Sequence, residues 1–205
     1  MKFNNILALS PHTDDVEIGC GATLVKLKRE GAKIFVLNFS LSKNEEGNNT
    51  APNVENEFIK SMTLLGAEYK MLNFECRKLQ DKRQEILDYL IKLSKEYEFD
   101  TVFCPSSFDS HQDHQTVRNE AFRAFKSNTI LGFELPWNCV QFRTDLFVNL
   151  SDEDLAAKVD MINCYVSQQH RAYMYKQYIY DNARTRALSI NSKYAECFEL
   201  IRGVI

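Results

Sequence analysis

Short apolar runs alternate along this chain with longer stretches whose apolar residues recur at helical spacing, and this alternation limits the fold more than any other feature. Ile6-Leu7-Ala8-Leu9 reads as a buried strand and Lys33 to Phe39 as a second. Between them, Val16 to Glu30 sets Ile18, Ala22, Leu24, Val25 and Leu27 mainly on one helical face and stops at Gly31. Such a strand–helix–strand unit fits a right-handed parallel crossover. The pattern then repeats. Glu55 to Leu65 reads as a helix closed by Gly66, Tyr69 to Phe74 as a strand, and Lys82 to Tyr97 as an amphipathic helix. Thr101 to Cys104 is a buried strand closed by Pro105, and Asp113 to Phe125 a further helix. Ile130 to Leu135 and Leu146 to Leu150 read as late strands, and Glu153 to Arg186 is mostly helical. An α/β fold with a mainly parallel sheet follows. At 205 residues the chain fills one core and is short for two, so a single domain over 1–205 is expected.

Ligands of open parallel sheets bind beyond the carboxyl ends of the strands, near the point where strand order reverses. Two polar clusters stand at such ends. Ser10-Pro11-His12-Thr13-Asp14-Asp15 follows the first strand, and His111-Gln112-Asp113-His114 follows the Thr101–Cys104 strand. Together they hold three of the four histidines. Imidazoles and carboxylates brought together suit a hydrolytic metal site, which takes three protein ligands and leaves a position for water. His12 and Asp15, three apart at a turn, can reach one ion, and His114 can supply a third ligand. Asp14 is free to face the metal-bound water, His111 can face the cavity, and Asp113 can orient an imidazole. The competing reading is that Asp14 and Asp15 only cap the helix beginning near Val16.

Residues Ser10 to Leu24 (SPHTDDVEIGCGATL) and Asp109 to His114 (DSHQDH) resemble the LmbE/PIG-L family of zinc-dependent N-deacetylases. The tail Tyr194-Ala195-Glu196-Cys197-Phe198-Glu199 is similar to the ending of many members. The resemblance implies a Rossmann-like three-layer fold and removal of acetyl groups from amino sugars and related glycosides or lipids. It implies His12, Asp15 and His114 as zinc ligands and Asp14 as general base. A protonated His111 would stabilise the oxyanion, with Asp113 supporting it. The ligand set also accepts Fe2+, cobalt or manganese. Three departures stand out: Thr13 where proline is commonest, Gly21-Ala22 in place of a glycine pair, and Glu55 where many members carry a substrate-contacting arginine.

Other residues are candidates for substrate contact: Asp109 ahead of the second cluster, Glu134 and Trp137 after the strand at 130–135, and Arg184 or Arg186 in the tail. The Ser40–Asn53 stretch reads as a polar loop able to close as a lid. Tyr173, Tyr175, Tyr178 and Tyr180 read as a packing or subunit face, which leaves a homo-oligomer open. The six cysteines are spread singly and read as reduced thiols. A net charge of −3 argues against nucleic-acid or anionic-membrane partners. Ile6 to Leu9 is too short for a signal-peptide core and no stretch approaches a membrane span, so a cytoplasmic protein is expected. The function expected is metal-dependent deacetylation of an acetamido sugar, free or carried on a nucleotide, glycoside or lipid, in polysaccharide or glycoconjugate biosynthesis. The alternatives are an amidase of the same chemistry on a non-sugar or thiol-conjugated amide, and a non-catalytic sugar-binding protein.

Overall fold

The computed structural model describes residues 1–41 and 53–205. Strand β1 (Asn5–Ser10) leads through helix α1 (Asp15–Arg29) to β2 (Lys33–Asn38), and α2 (Val54–Leu65) leads to β3 (Glu68–Met71). Next come α3 (Arg83–Glu96), β4 (Thr101–Pro105), α4 (Gln112–Ala124) and β5 (Thr129–Phe133). The remainder is β6 (Leu146–Asn149), α5 (Asp152–Asn163), α6 (Lys176–Ala187) and β7 (Ala195–Arg202). Among the described residues these strands form one sheet in the order β3-β2-β1-β4-β5-β7-β6. The first five are parallel, and β7 runs antiparallel to both β5 and β6.

Period-two alternation divides the strands between two cores. Ile6, Ala8, Ile34 and Val36 pack with Phe58 and Met62 of α2 and with Leu155 and Ile162 of α5. Leu7, Leu9, Phe35 and Leu37 face the other way, against Ile86 and Leu90 of α3 and Val117 of α4. The fold is therefore the three-layer α/β arrangement expected. No helix among the described residues is long and apolar enough to cross a membrane.

Differences from the sequence reading lie towards the end of the chain. The tail expected as mostly helical is two helices joined by 3-10 turns at Val166–Gln168 and Ala172–Met174. Strand β7 was not expected, because Glu196 and Glu199 interrupt its apolar pattern. Both acids are buried and paired: Glu196 meets Lys158 at 2.6 Å, and Glu199 accepts from the Ser107 amide at 2.7 Å. Close helix-to-sheet contact falls at Gly19 and not at the Gly21-Ala22 pair. A Cβ at Gly19 would lie 2.3 Å from the Phe133 ring. Of the expected lid, residues 42–52 lie outside the described residues.

Strand β1 sits between β2 and β4, so the order reverses there and a crevice opens at the carboxyl ends of β1 and β4. Both polar clusters begin at that crevice.

Candidate active site

After β1 the chain turns sharply to enter α1. Ser10 donates its hydroxyl to the His12 carbonyl, and the Tyr165 phenol reaches the Thr13 carbonyl and, at 2.5 Å, the Glu17 carboxyl. Burial pushes the Glu17 carboxyl up to about 7 against its bonds from Ser61 and Tyr165. A phenol has one hydrogen for two oxygens, so a protonated Glu17 completes the set by donating back. Asp14 stands at the helix N-cap, yet its side chain makes no capping bond and is buried at the crevice. Capping therefore does not account for it. Burial, and then the charge of Asp15, raise its pKa to about 6.

After β4 the chain bends at Ser106–Asp109 and enters α4 behind His111. Three donor atoms from the two clusters converge. Asp15 Oδ2 lies 3.2 Å from His12 Nδ1 and 3.2 Å from His114 Nε2, and the two nitrogens are 3.1 Å apart. A tetrahedral ion with ligand distances of about 2.0–2.1 Å needs donor atoms roughly 3.3 Å from one another. The three residues fit such an ion. Their protonation tells the same story. Burial disfavours both imidazolium ions, but Asp113 and Asp15 outweigh it at His12 and hold its pKa well above the usual histidine value. At His114, Asp15 and Asp109 raise it to about 9. Burial also opposes the Asp15 charge, and the two imidazoles still pull its pKa far below the ordinary carboxylate range. The point where these three donor atoms meet favours positive charge.

Each imidazole is oriented from behind. Asp113 meets His12 Nε2 at 3.0 Å and accepts from the amides of Arg77 and Leu79 at 2.6 and 3.2 Å. Its carboxylate thus supports His12 and not His111, because the first turn of α4 points it back across the crevice. His111 receives only the Asp113 main-chain N–H, on Nδ1 at 3.2 Å. That bond leaves the neutral ring's hydrogen on Nε2. Burial, then the charges of His114 and His12, lower the His111 pKa, which favours a neutral N–H donor over the imidazolium expected from the resemblance.

The substrate-contact candidates separate. Asp109 is buried: it meets His114 Nδ1 at 2.8 Å and accepts from the His111 amide at 2.9 Å, so it orients the cluster and has no free oxygen for substrate. Glu134 turns away from the crevice and takes both of its oxygens to Arg186, at 2.6 and 2.5 Å. Arg184 is exposed and paired with Asp181 at 3.1 Å. Glu55 is exposed on the first turn of α2, beside Val54, which does line the crevice. Trp137 is at the cleft, 43% exposed, with its ring stacked on Tyr173 at 3.8 Å.

The cleft has a volume of about 220 Å3. Its wall includes Cys76, Arg77, Arg171 and Tyr173, none of which sequence reasoning assigned to the site. Cys76 and Arg77 follow β3, so the rule that placed the two clusters at strand ends would also have flagged them. Arg171 lies in a turn between helices and carried no such signal.

The protein-family model PIG-L, GlcNAc-PI de-N-acetylase, matches residues 7–125, more than half of the chain. A protein of Escherichia coli (strain K12) named Uncharacterized deacetylase YaiS is 26% identical over 165 residues, 77% of this chain and 88% of that protein. Among solved structures, the conserved protein TT1542 from Thermus thermophilus superposes with a TM-score of 0.81 at 22% identity, covering 98% of this chain and 96% of its own. The N,N'-diacetylchitobiose deacetylase from Pyrococcus horikoshii gives 0.77 at 21% identity, covering 96% and 83%. At these identities the superpositions speak for the fold alone.

Proposed function

Because the chain belongs to the PIG-L family, we propose that it is a zinc-dependent N-deacetylase acting on an acetamido sugar or glycoconjugate. The reading rests on one observation: three donor atoms within 3.2 Å of one another beside a buried carboxylate that caps nothing. The names of the family and of the Escherichia coli relative support the reaction. His12, Asp15 and His114 would hold the ion, and Fe2+ suits the same donors. Bound there, a metal ion supplies a Lewis acid for the acetamide oxygen and lowers the pKa of water.

The side chains account for the remaining steps. Asp14, with a pKa near 6, is ionised at neutral pH and takes the proton of the attacking water. Once protonated, it can hand that proton to the departing amine. His111 donates Nε2–H to the oxygen that gains charge as the carbonyl carbon becomes tetrahedral. Asp109 and Asp113 hold the two imidazoles in place throughout. The Trp137–Tyr173 stack offers an apolar face to a sugar ring. The proposal extends to a cytoplasmic step in polysaccharide or glycoconjugate biosynthesis, in keeping with the glycolipid in the family's name.

Asp14→Asn tests the assignment. It should lower kcat/KM for acetate release by about 10²–10⁴-fold while metal content stays unchanged. In the wild type, kcat/KM should fall as pH drops through about 6, where Asp14 takes up its proton. Full activity of the variant would remove Asp14 as the base. Release from non-sugar amides but from no acetamido sugar would remove the substrate class.

A further inference from the structure

We infer that Arg77 and Arg171 form a subsite for an anionic group, so that the acetamido sugar turned over here carries a phosphoryl or carboxylate substituent. The inference rests on the deacetylase reading and narrows its substrate.

Both guanidinium groups line the cleft that holds His12 and Asp14. Their lack of anionic partners sets them apart. Six of the other eight arginines are ion-paired with carboxylates. The remaining two donate to hydroxyl, amide or carbonyl oxygens. Among the described residues, Arg171 donates only to the Tyr173 hydroxyl, at 2.5 Å, and the Arg77 guanidinium has no partner. In a chain with 28 acidic and 25 basic residues, two cations at one cleft without a salt bridge among the described residues are not explained by a general surplus of positive charge. The cleft's own acids balance these charges only in part: Asp15 is engaged by His12 and His114, and Asp14 feels the Arg171 charge but forms no salt bridge with either arginine.

The backbone adds a second, independent observation. Arg77 has φ +66°, a left-handed conformation that glycine adopts freely and a side chain resists. It is held there by its N–H, which donates to Asp113 Oδ2, the oxygen that also meets His12 Nε2. One carboxylate oxygen therefore fixes both a cluster imidazole and the position of this arginine. A strained, anchored main chain that carries an unpaired guanidinium into a reaction cleft points to a ligand. Arg171 sits beside the aromatic platform, 5.8 Å from the Tyr173 ring centre, so a sugar on Trp137 and Tyr173 would bring its substituent to it. Guanidinium forks match phosphoryl and carboxylate oxygens, whereas neutral hydroxyls would leave both charges uncompensated. A cleft of about 220 Å3 admits a sugar unit that carries a charged group.

The test compares N-acetylglucosamine 1-phosphate, N-acetylmuramic acid and uncharged N-acetylglucosamine. Acetate release is measured with the wild-type protein and binding by calorimetry with Asp14→Asn. At least one anionic sugar should bind tenfold or more tighter than the neutral one, and the gap should shrink with added salt. Which anion wins separates phosphoryl from carboxylate recognition. Arg77→Gln and Arg171→Gln should each reduce the anion preference roughly tenfold, the worth of a charge-assisted hydrogen bond. Neutral sugar binding as tightly as both anions, or a preference untouched in both variants, overturns the subsite. Acetate release without anion preference removes the subsite alone. Anion binding that needs the arginines, with no acetate released from any sugar, removes the deacetylase reading and leaves the subsite.

Discussion

Asp109→Asn tests how the site would keep the proposed metal-binding nitrogen free. The aspartate has two tasks, accepting from the His111 amide at 2.9 Å and meeting His114 Nδ1 at 2.8 Å. Asparagine keeps the shape but has one acceptor and one donor, so it can do only one task at a time. With its oxygen on the His111 amide, its NH2 faces His114 Nδ1, which must then accept. The imidazole hydrogen moves to Nε2, the atom aimed at Asp15, and no lone pair remains for an ion. With the amide flipped, His114 is restored, but the His111 N–H faces an NH2 group. Leaving that amide unsatisfied costs about 1–3 kcal/mol. Metal binding has to force this second arrangement, so zinc affinity should fall about 10–100-fold, the usual range for an outer carboxylate. The metal-free protein adopts the first arrangement and should keep its fold. Zinc competition against a chromophoric chelator, with thermal unfolding of the metal-free protein alongside, measures both. Zinc affinity within threefold of wild type would refute the argument.

Four further outcomes are expected. The metal-free protein carries imidazolium at neutral pH, since the His114 pKa is raised to about 9, so zinc uptake at pH 7.5 should release protons, read from calorimetric heats in buffers of different ionisation enthalpy. By the same sign, this histidine's contribution to metal-free stability is full below pH 6.5 and lost as pH rises towards 9; an unfolding temperature that climbs over that range would contradict it. Glu196→Ala strands the buried Lys158 ammonium and the Ala22 and Thr23 amides, and should cost about 3–5 kcal/mol, seen as a lower denaturation midpoint. Gly19→Ala drives a methyl group into the Phe133 ring and should cost about 1–3 kcal/mol, measured the same way; a neutral effect would mean that helix and sheet separate more easily than their packing implies.

The elements that carry the clusters were legible because their signals are local. Strand periodicity at Ile6–Leu9 and helical spacing after Asp15 each depend on a few neighbouring residues, and the switch-point rule then placed both clusters at one crevice. Strand β7 was hidden because two acids in its pattern find their partners more than 35 residues away, at Lys158 and Ser107. Which imidazole each carboxylate supports was equally out of reach. Asp113 and His111 are neighbours in the chain, yet the helical phase of α4 turns the carboxylate to His12, 101 residues distant.

By itself, the sequence determined an α/β chain with histidine and aspartate clusters at two strand ends, because residue type and short-range spacing encode them. Tertiary structure alone decided which atoms meet. It brought His12, Asp15 and His114 to within 3.2 Å of one another, turned Asp109 to His114 and Glu134 to Arg186, and left Arg77 and Arg171 at the cleft without a salt bridge among the described residues. Strand order and side-chain direction set those pairings, and neither is written in any short stretch of the chain.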